Sequence, residues 1–186
     1  MRWIAGFALL LVSACTSPEQ EFWGRVTALC ENAYAGSMTT DDPQDADFRD
    51  ADLAVSFDAC SANRIDMFLV KDGEPYAKWV LTRDGDTLEL RHIHKDGLTG
   101  YGGFSADNSS GSRVNFPADD KTKAMFDEAD HEAGKQNVWA LSARSGSLFT
   151  YELERPERRV VFAFNTVNPV EFKLSPDQKA GFEKAE

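Results

Sequence analysis

From residue 53 onward the apolar positions of this chain fall on every second residue. Leu53, Val55 and Phe57 alternate with Asp52, Ala54 and Ser56, and Ile65, Met67 and Leu69 alternate with Asp66 and Phe68. The habit continues through Trp79/Leu81, Leu88/Leu90, Val114/Phe116 and Trp139/Leu141, then Phe149/Tyr151/Leu153 and Val160/Phe162/Phe164. Successive side chains of a strand point to opposite faces, so this period of two describes strands with one buried face. Lys71-Asp72-Gly73, Asp84-Gly85 and the "RPE" near residue 156 punctuate the runs as turns. The pattern predicts about 8–10 short antiparallel strands in a meander. Such a meander rids itself of exposed edges as a sandwich or a barrel, and the expected fold is mainly β, a calycin-like (lipocalin-like) barrel.

Two segments have helical signals instead. Ser17-Pro18-Glu19-Gln20 supplies a cap, a proline for the first helical position and a glutamine three residues on. Phe22, Val26 and Leu29/Cys30 then share a face, predicting an N-terminal helix over about 18–31. Asp119 or Asp120 caps a second helix near 120–133, stopped by Gly134. Between the first helix and the strands, the acidic, turn-rich stretch 39–50 reads as a surface loop.

The first 15 residues, MRWIAGFALLLVSAC, set the address. One arginine precedes an apolar run of ten that is too short to span a bilayer core of about 30 Å. Val12-Ser13-Ala14-Cys15 resembles the bacterial lipobox, which implies a signal over 1–14 and acylation of Cys15. The mature chain 15–186 is then a single β-rich domain, held by its N-terminal lipid on the cell envelope. Thr16 after the cysteine favours the outer membrane, facing the periplasm. Cys30 and Cys60 remain as an even pair in an oxidising compartment, so a disulfide between them is expected. With Arg2 removed, 19 Lys+Arg face 31 Asp+Glu, a net charge of about −12. That balance disfavours nucleic acid and anionic lipid headgroups as partners.

The chemistry that stands out is "LRHIHKDGLTGYGG" at 90–103. Strand parity puts Leu88, Leu90, His92 and His94 on one face, and the leucines mark it as inward. Two imidazoles about 7 Å apart can share a metal or line a ligand cavity. A catalytic metal needs a third protein ligand. His131 falls opposite the apolar stripe of its helix (Thr122, Met125, Phe126, Ala129, Ala133) and should face solvent. Asp96 could complete a site, whereas Glu89 is on the wrong face. The glycines that follow read as backbone punctuation, with Tyr101 over the opening. No G-x-S-x-G, P-loop or H-E-x-x-H is present.

The blocks "WVLTRDGDTLELRHIHKDG" at 79–97, "YGG" at 101–103 and "FPADDKT" at 116–122 resemble a family of uncharacterised bacterial secreted proteins and lipoproteins. That family carries W-V-L-T-R, L-x-L-x-H-x-H-x-x-D-G, Y-G-G and F-P-A-D-x-x-T, and ends on a hairpin like "FTYELERPERRVVFAF". The chain departs from it where Ile93 and Lys95 occupy the neighbourhood of a further histidine. The resemblance implies an envelope address and no particular activity.

Taken together, the expectation is a non-enzymatic binder of a small apolar or amphipathic ligand without a cofactor. Its pocket would be drawn from Trp79, His92, His94, Tyr101, Phe149 and Tyr151, with Phe162 inward beside them. The alternatives are a metal-dependent or metal-binding protein centred on His92 and His94, and an envelope protein-interaction module.

Overall fold

The computed structural model describes residues 16–183 and residue 185; residues 1–14, read above as a signal, and Cys15, read as the lipidation site, lie outside the described residues. Ten strands follow one another: β1 (Ala33–Met38), β2 (Leu53–Cys60), β3 (Arg64–Lys71), β4 (Glu74–Asp84), β5 (Thr87–Ile93), β6 (Tyr101–Phe104), β7 (Arg113–Pro117), β8 (Val138–Arg144), β9 (Leu148–Arg155) and β10 (Arg158–Asn165). All pair antiparallel in the order β6-β5-β4-β3-β2-β1-β10-β9-β8-β7. The two terminal strands, β6 and β7, meet again, so the sheet curls into a nearly closed, calycin-like barrel. Each pair read from the alternation points inward, and together they form one continuous core that includes Phe57, Trp79, Leu90, Trp139, Phe149 and Phe164.

One end of the barrel is stoppered. Helix α1 (Pro18–Thr27) begins as its sequence dictates: Ser17 Oγ accepts a hydrogen bond from the Gln20 N–H, and Pro18 takes the first turn. Phe22 and Val26 are fully buried in the barrel core. The rim is tied down at two hairpins. Ser17 Oγ and Gln20 Nε2 donate to Asp86 in the β4–β5 turn (3.0 and 2.7 Å), and Arg25 donates to Ser145 in the β8–β9 turn (2.9 Å). The helix is shorter than its 18–31 expectation. The chain leaves it through Ala28 and reverses at Glu31, whose φ is +63°. Cys30 therefore sits just past the helix, where its disulfide with Cys60 joins the stopper to the end of β2 across a Cα–Cα distance of 6.2 Å.

The "YGG" of the sequence is explained by close backbone approaches on both sides of β6, to β5 and, at the seam where the barrel closes, to β7. A Cβ on Gly102 would lie 1.8 Å from the Leu90 carbonyl oxygen, and one on Gly103 would lie 1.9 Å from that of Pro117. Only glycine lets these backbones approach so closely. Thr122, fully buried in helix α3 (Asp120–Glu128), fastens the seam: its Oγ1 accepts from the Gly102 N–H and donates to the Gly102 carbonyl, both at 2.8 Å. Arg91 reinforces it from β5, with bonds to Asp119, Glu89 and Thr122. Replacing Thr122 by valine keeps the shape and leaves the Gly102 N–H without a partner, while the Gly102 carbonyl keeps only the Asp119 N–H at 3.1 Å. Thr122→Val should therefore cost about 1–3 kcal/mol, read as a lower urea midpoint.

Three further features differ from the sequence reading or were absent from it. The stretch 39–50 is not only a loop: a 3₁₀ turn (Pro43–Asp45) and a short helix α2 (Ala46–Arg49) carry Phe48 onto the barrel against Phe162 and Tyr76. The helix near 120–133 ends early, at Glu128. Asp130 takes a left-handed φ of +56°, the His131 N–H bonds to the Phe126 carbonyl and the Asp130 N–H to that of Asp127. This is a Schellman closure with aspartate where glycine is usual. Finally, a C-terminal helix α4 (Pro176–Glu183) lies on the outer face. There Phe182 and Leu174 cover Phe68, Val70, Val80 and Ile93, all at outward strand positions.

Candidate functional site

The end opposite α1 is the open one. It gathers the β3–β4, β5–β6 and β9–β10 connections, α2, and the 3₁₀ segment Glu132–Gln136 that follows α3. His92 is the last inward residue of β5 and is 1 % exposed. Its Nδ1 lies 3.2 Å from the Tyr101 carbonyl oxygen and its Nε2 lies 2.9 Å from the Tyr151 hydroxyl. A carbonyl only accepts, so Nδ1 carries the proton. Burial beside His94 and Arg91 drives the His92 pKa down to about 3 and keeps the ring neutral. Nε2 is therefore a lone pair, and the Tyr151 hydroxyl donates to it.

His94, one strand repeat further, sits at the same end. Its Nε2 lies 2.9 Å from the Tyr101 hydroxyl, and partial burial lowers its pKa. Tyr101 stacks on His92 (centroids 4.9 Å apart) and touches Trp139 and Phe126 edgewise or tilted. Tyr151 stacks face to face on Trp79 at 4.1 Å. Burial pushes both tyrosine hydroxyls above the ordinary phenol range, so they remain neutral hydrogen-bonding groups.

Above this polar–aromatic floor the mouth opens as a cleft of about 590 Å³. A smaller recess of about 250 Å³ shares His94, Tyr101, Tyr151 and Leu153 with it. Phe126, Trp139 and Leu153 supply apolar wall. Asp96, Asp130 and His131 stand exposed on one rim, with Arg155 and Asn137 on another. Arg158 also reaches the recess, but its charge is held by Asp42 and Asp45 at 3.2 and 2.8 Å. Burial and the neighbouring Arg158 lower the Arg155 pKa.

Of the six residues proposed for the pocket, the structure brings five together: Trp79, His92, His94, Tyr101 and Tyr151. Phe149 is fully buried deeper in the barrel, between Phe57 and Phe164, and lines neither opening. Phe162 lines the recess. Sequence reasoning passed over Trp139, Phe126 and Arg155. Trp139 was legible as an inward residue of β8, and its place at the mouth follows from the β7–β8 register, which the sequence does not print. His131 is exposed, as its helical position implied. The early end of α3 nevertheless carries it to the rim of the cleft that holds His94. Each ring nitrogen of His92 is occupied by a protein partner, and His94 Nε2 faces Tyr101. Among the described residues no group of three or more His, Cys, Asp or Glu is placed to hold a metal ion.

Comparison of the chain with family models, curated proteins and solved structures found no match. The site must therefore be read from its own chemistry.

Proposed function

We propose that this chain is an envelope lipoprotein whose barrel mouth holds a small amphipathic ligand. The address rests on the signal-like segment and Cys15, and on the paired cysteines Cys30 and Cys60. The ligand reading is supported above all by one contrast along the barrel axis. Toward α1 the interior is filled by aromatic side chains, whereas the mouth keeps a cleft of about 590 Å³ with aromatic walls and a polar floor. Small-molecule sites occupy roughly 300–1,000 Å³ and combine an apolar lining with a few placed polar groups. The ligand would lie across the mouth and not deep in the barrel, as in a lipocalin-like cup filled from below.

The test uses N-phenyl-1-naphthylamine, an uncharged amphipathic dye whose emission rises on leaving water. The protein should enhance its fluorescence saturably. Leu153→Trp, which fills the space shared by cleft and recess, should abolish most of that rise without lowering the thermal midpoint. No saturable enhancement, or an enhancement that Leu153→Trp leaves intact, defeats the reading.

A further inference from the structure

The hydrogen-bond polarity of the floor says more about the occupant than its shape does. Tyr151 is almost wholly buried and has a single hydroxyl proton, which it gives to His92 Nε2. Toward the cleft its oxygen can only accept. A ligand atom that reaches it must bring a proton. Around that acceptor, Tyr101, Trp139 and Phe126 offer aromatic surface, and aromatic faces attract cations. The nearby imidazoles do not compete as positive charges at neutral pH, since burial holds both His92 and His94 in the neutral form.

The rim charges have the same sense. Glu132 is paired with Lys135 at 2.7 Å, but among the described residues no lysine or arginine pairs with Asp96 or Asp130, which stand on the cleft. Arg155 is the opposing charge. Its guanidinium reaches Asn137 Oδ1 at 3.4 Å and sits on the far wall with Leu153. The rim thus presents two carboxylates against one guanidinium, on a mature chain of net charge about −12. A field of that sign concentrates cations at the opening.

We propose that the ligand is an organic ammonium on an apolar or aromatic stem, its N–H donated to Tyr151 Oη and its charge held between the aromatic wall and Asp96 and Asp130. This assignment rests on the mouth being a ligand site, and the experiment separates the two. Three probes of one ring size are titrated by calorimetry near neutral pH: 1-naphthylmethylammonium, 1-naphthylmethanol and 1-naphthoate. The ammonium should bind about tenfold tighter than the alcohol, and the naphthoate weakest of the three. Tyr151→Phe, which keeps the ring and deletes the acceptor, should erase the preference for ammonium over a methylated, N–H-free trimethylammonium analogue. Asp96→Asn with Asp130→Asn should weaken the ammonium several-fold and leave the alcohol unchanged. Arg155→Gln should tighten it.

Equal binding of ammonium and alcohol, or tighter binding of naphthoate together with its loss in Arg155→Gln, overturns the ammonium assignment while leaving the cleft a ligand site. If none of the three probes binds and the dye also fails, the underlying reading falls with it.

Discussion

Acidification from neutrality to about pH 5 should destabilise the wild-type protein far more than a His92→Gln variant. His92 has a folded pKa of about 3 against an ordinary 6.5. Between those values the unfolded chain binds a proton that the native ring refuses. Stability rises with pH wherever the unfolded state holds more protons, so the native state is favoured fully above the ordinary value and loses ground as pH falls toward the folded one. One pKa unit is worth 1.36 kcal/mol, so His92 alone should remove about 2 kcal/mol by about pH 5 and about 3 kcal/mol by about pH 4. His94, also lowered by burial, adds loss in the same direction. The lowered carboxylates Asp119 and Glu152 have ordinary values of 3.8 and 4.5, so their contribution is lost lower on the scale. Glutamine at 92 can accept from Tyr151 but does not titrate. Urea midpoints measured at half-unit steps should therefore fall steeply through this window for the wild type, and for the variant only by the smaller loss that His94 contributes. Parallel curves would mean that His92 is protonated in the native barrel.

The second large effect belongs to the stopper. Breaking Cys30–Cys60, by reduction or by the paired substitution Cys30→Ser with Cys60→Ser, frees a loop whose ends are 30 residues apart. Chain-entropy reasoning assigns such a loop about 3–4 kcal/mol. The local geometry concentrates that loss, because the disulfide anchors the segment between α1 and β1 beside the buried Phe22 and Val26. Hydrogen exchange should show it as faster exchange in α1 and the adjoining end of β2. The mouth residues of β5 and β9 should change much less. A uniform rise across all ten strands would mean that α1 and the barrel open as one unit.

The barrel was largely legible because a period of two is a direct imprint of a sheet with one wet and one dry face. Every inward pair from Leu53 to Phe164 joins the same core. The same rule misled where the outer face is also covered. Phe68 and Val80 sit at positions that alternation marks as outward, and α4 buries them. Only the tertiary docking of a short helix with a weak apolar stripe explains that. Strand β6 was hidden for a different reason: Tyr101–Phe104 contains glycines where backbones touch, and those glycines read as punctuation, while the small residues of β1 (Ala33–Met38), with Gly36 against the Ala163 carbonyl, show no alternation to read. At the site, parity alone gave the inward direction of His92 and His94. Their partners could not be read from the chain, because Tyr151 lies 59 residues from His92 and meets it only through the curl of the sheet.

The stopper has a consequence for orientation. The chain enters α1 at Ser17, two positions after the cysteine proposed to carry lipid, so an anchor there would leave from the stoppered end. Strands of eight residues run roughly 25 Å at about 3.3 Å per residue, which the usual tilt of barrel strands, about 35–45°, reduces to about 20 Å along the axis. The cleft would then be held about that distance from the bilayer and directed away from it. A protein mounted this way samples solutes in the aqueous compartment, not molecules partitioned into the membrane beneath it.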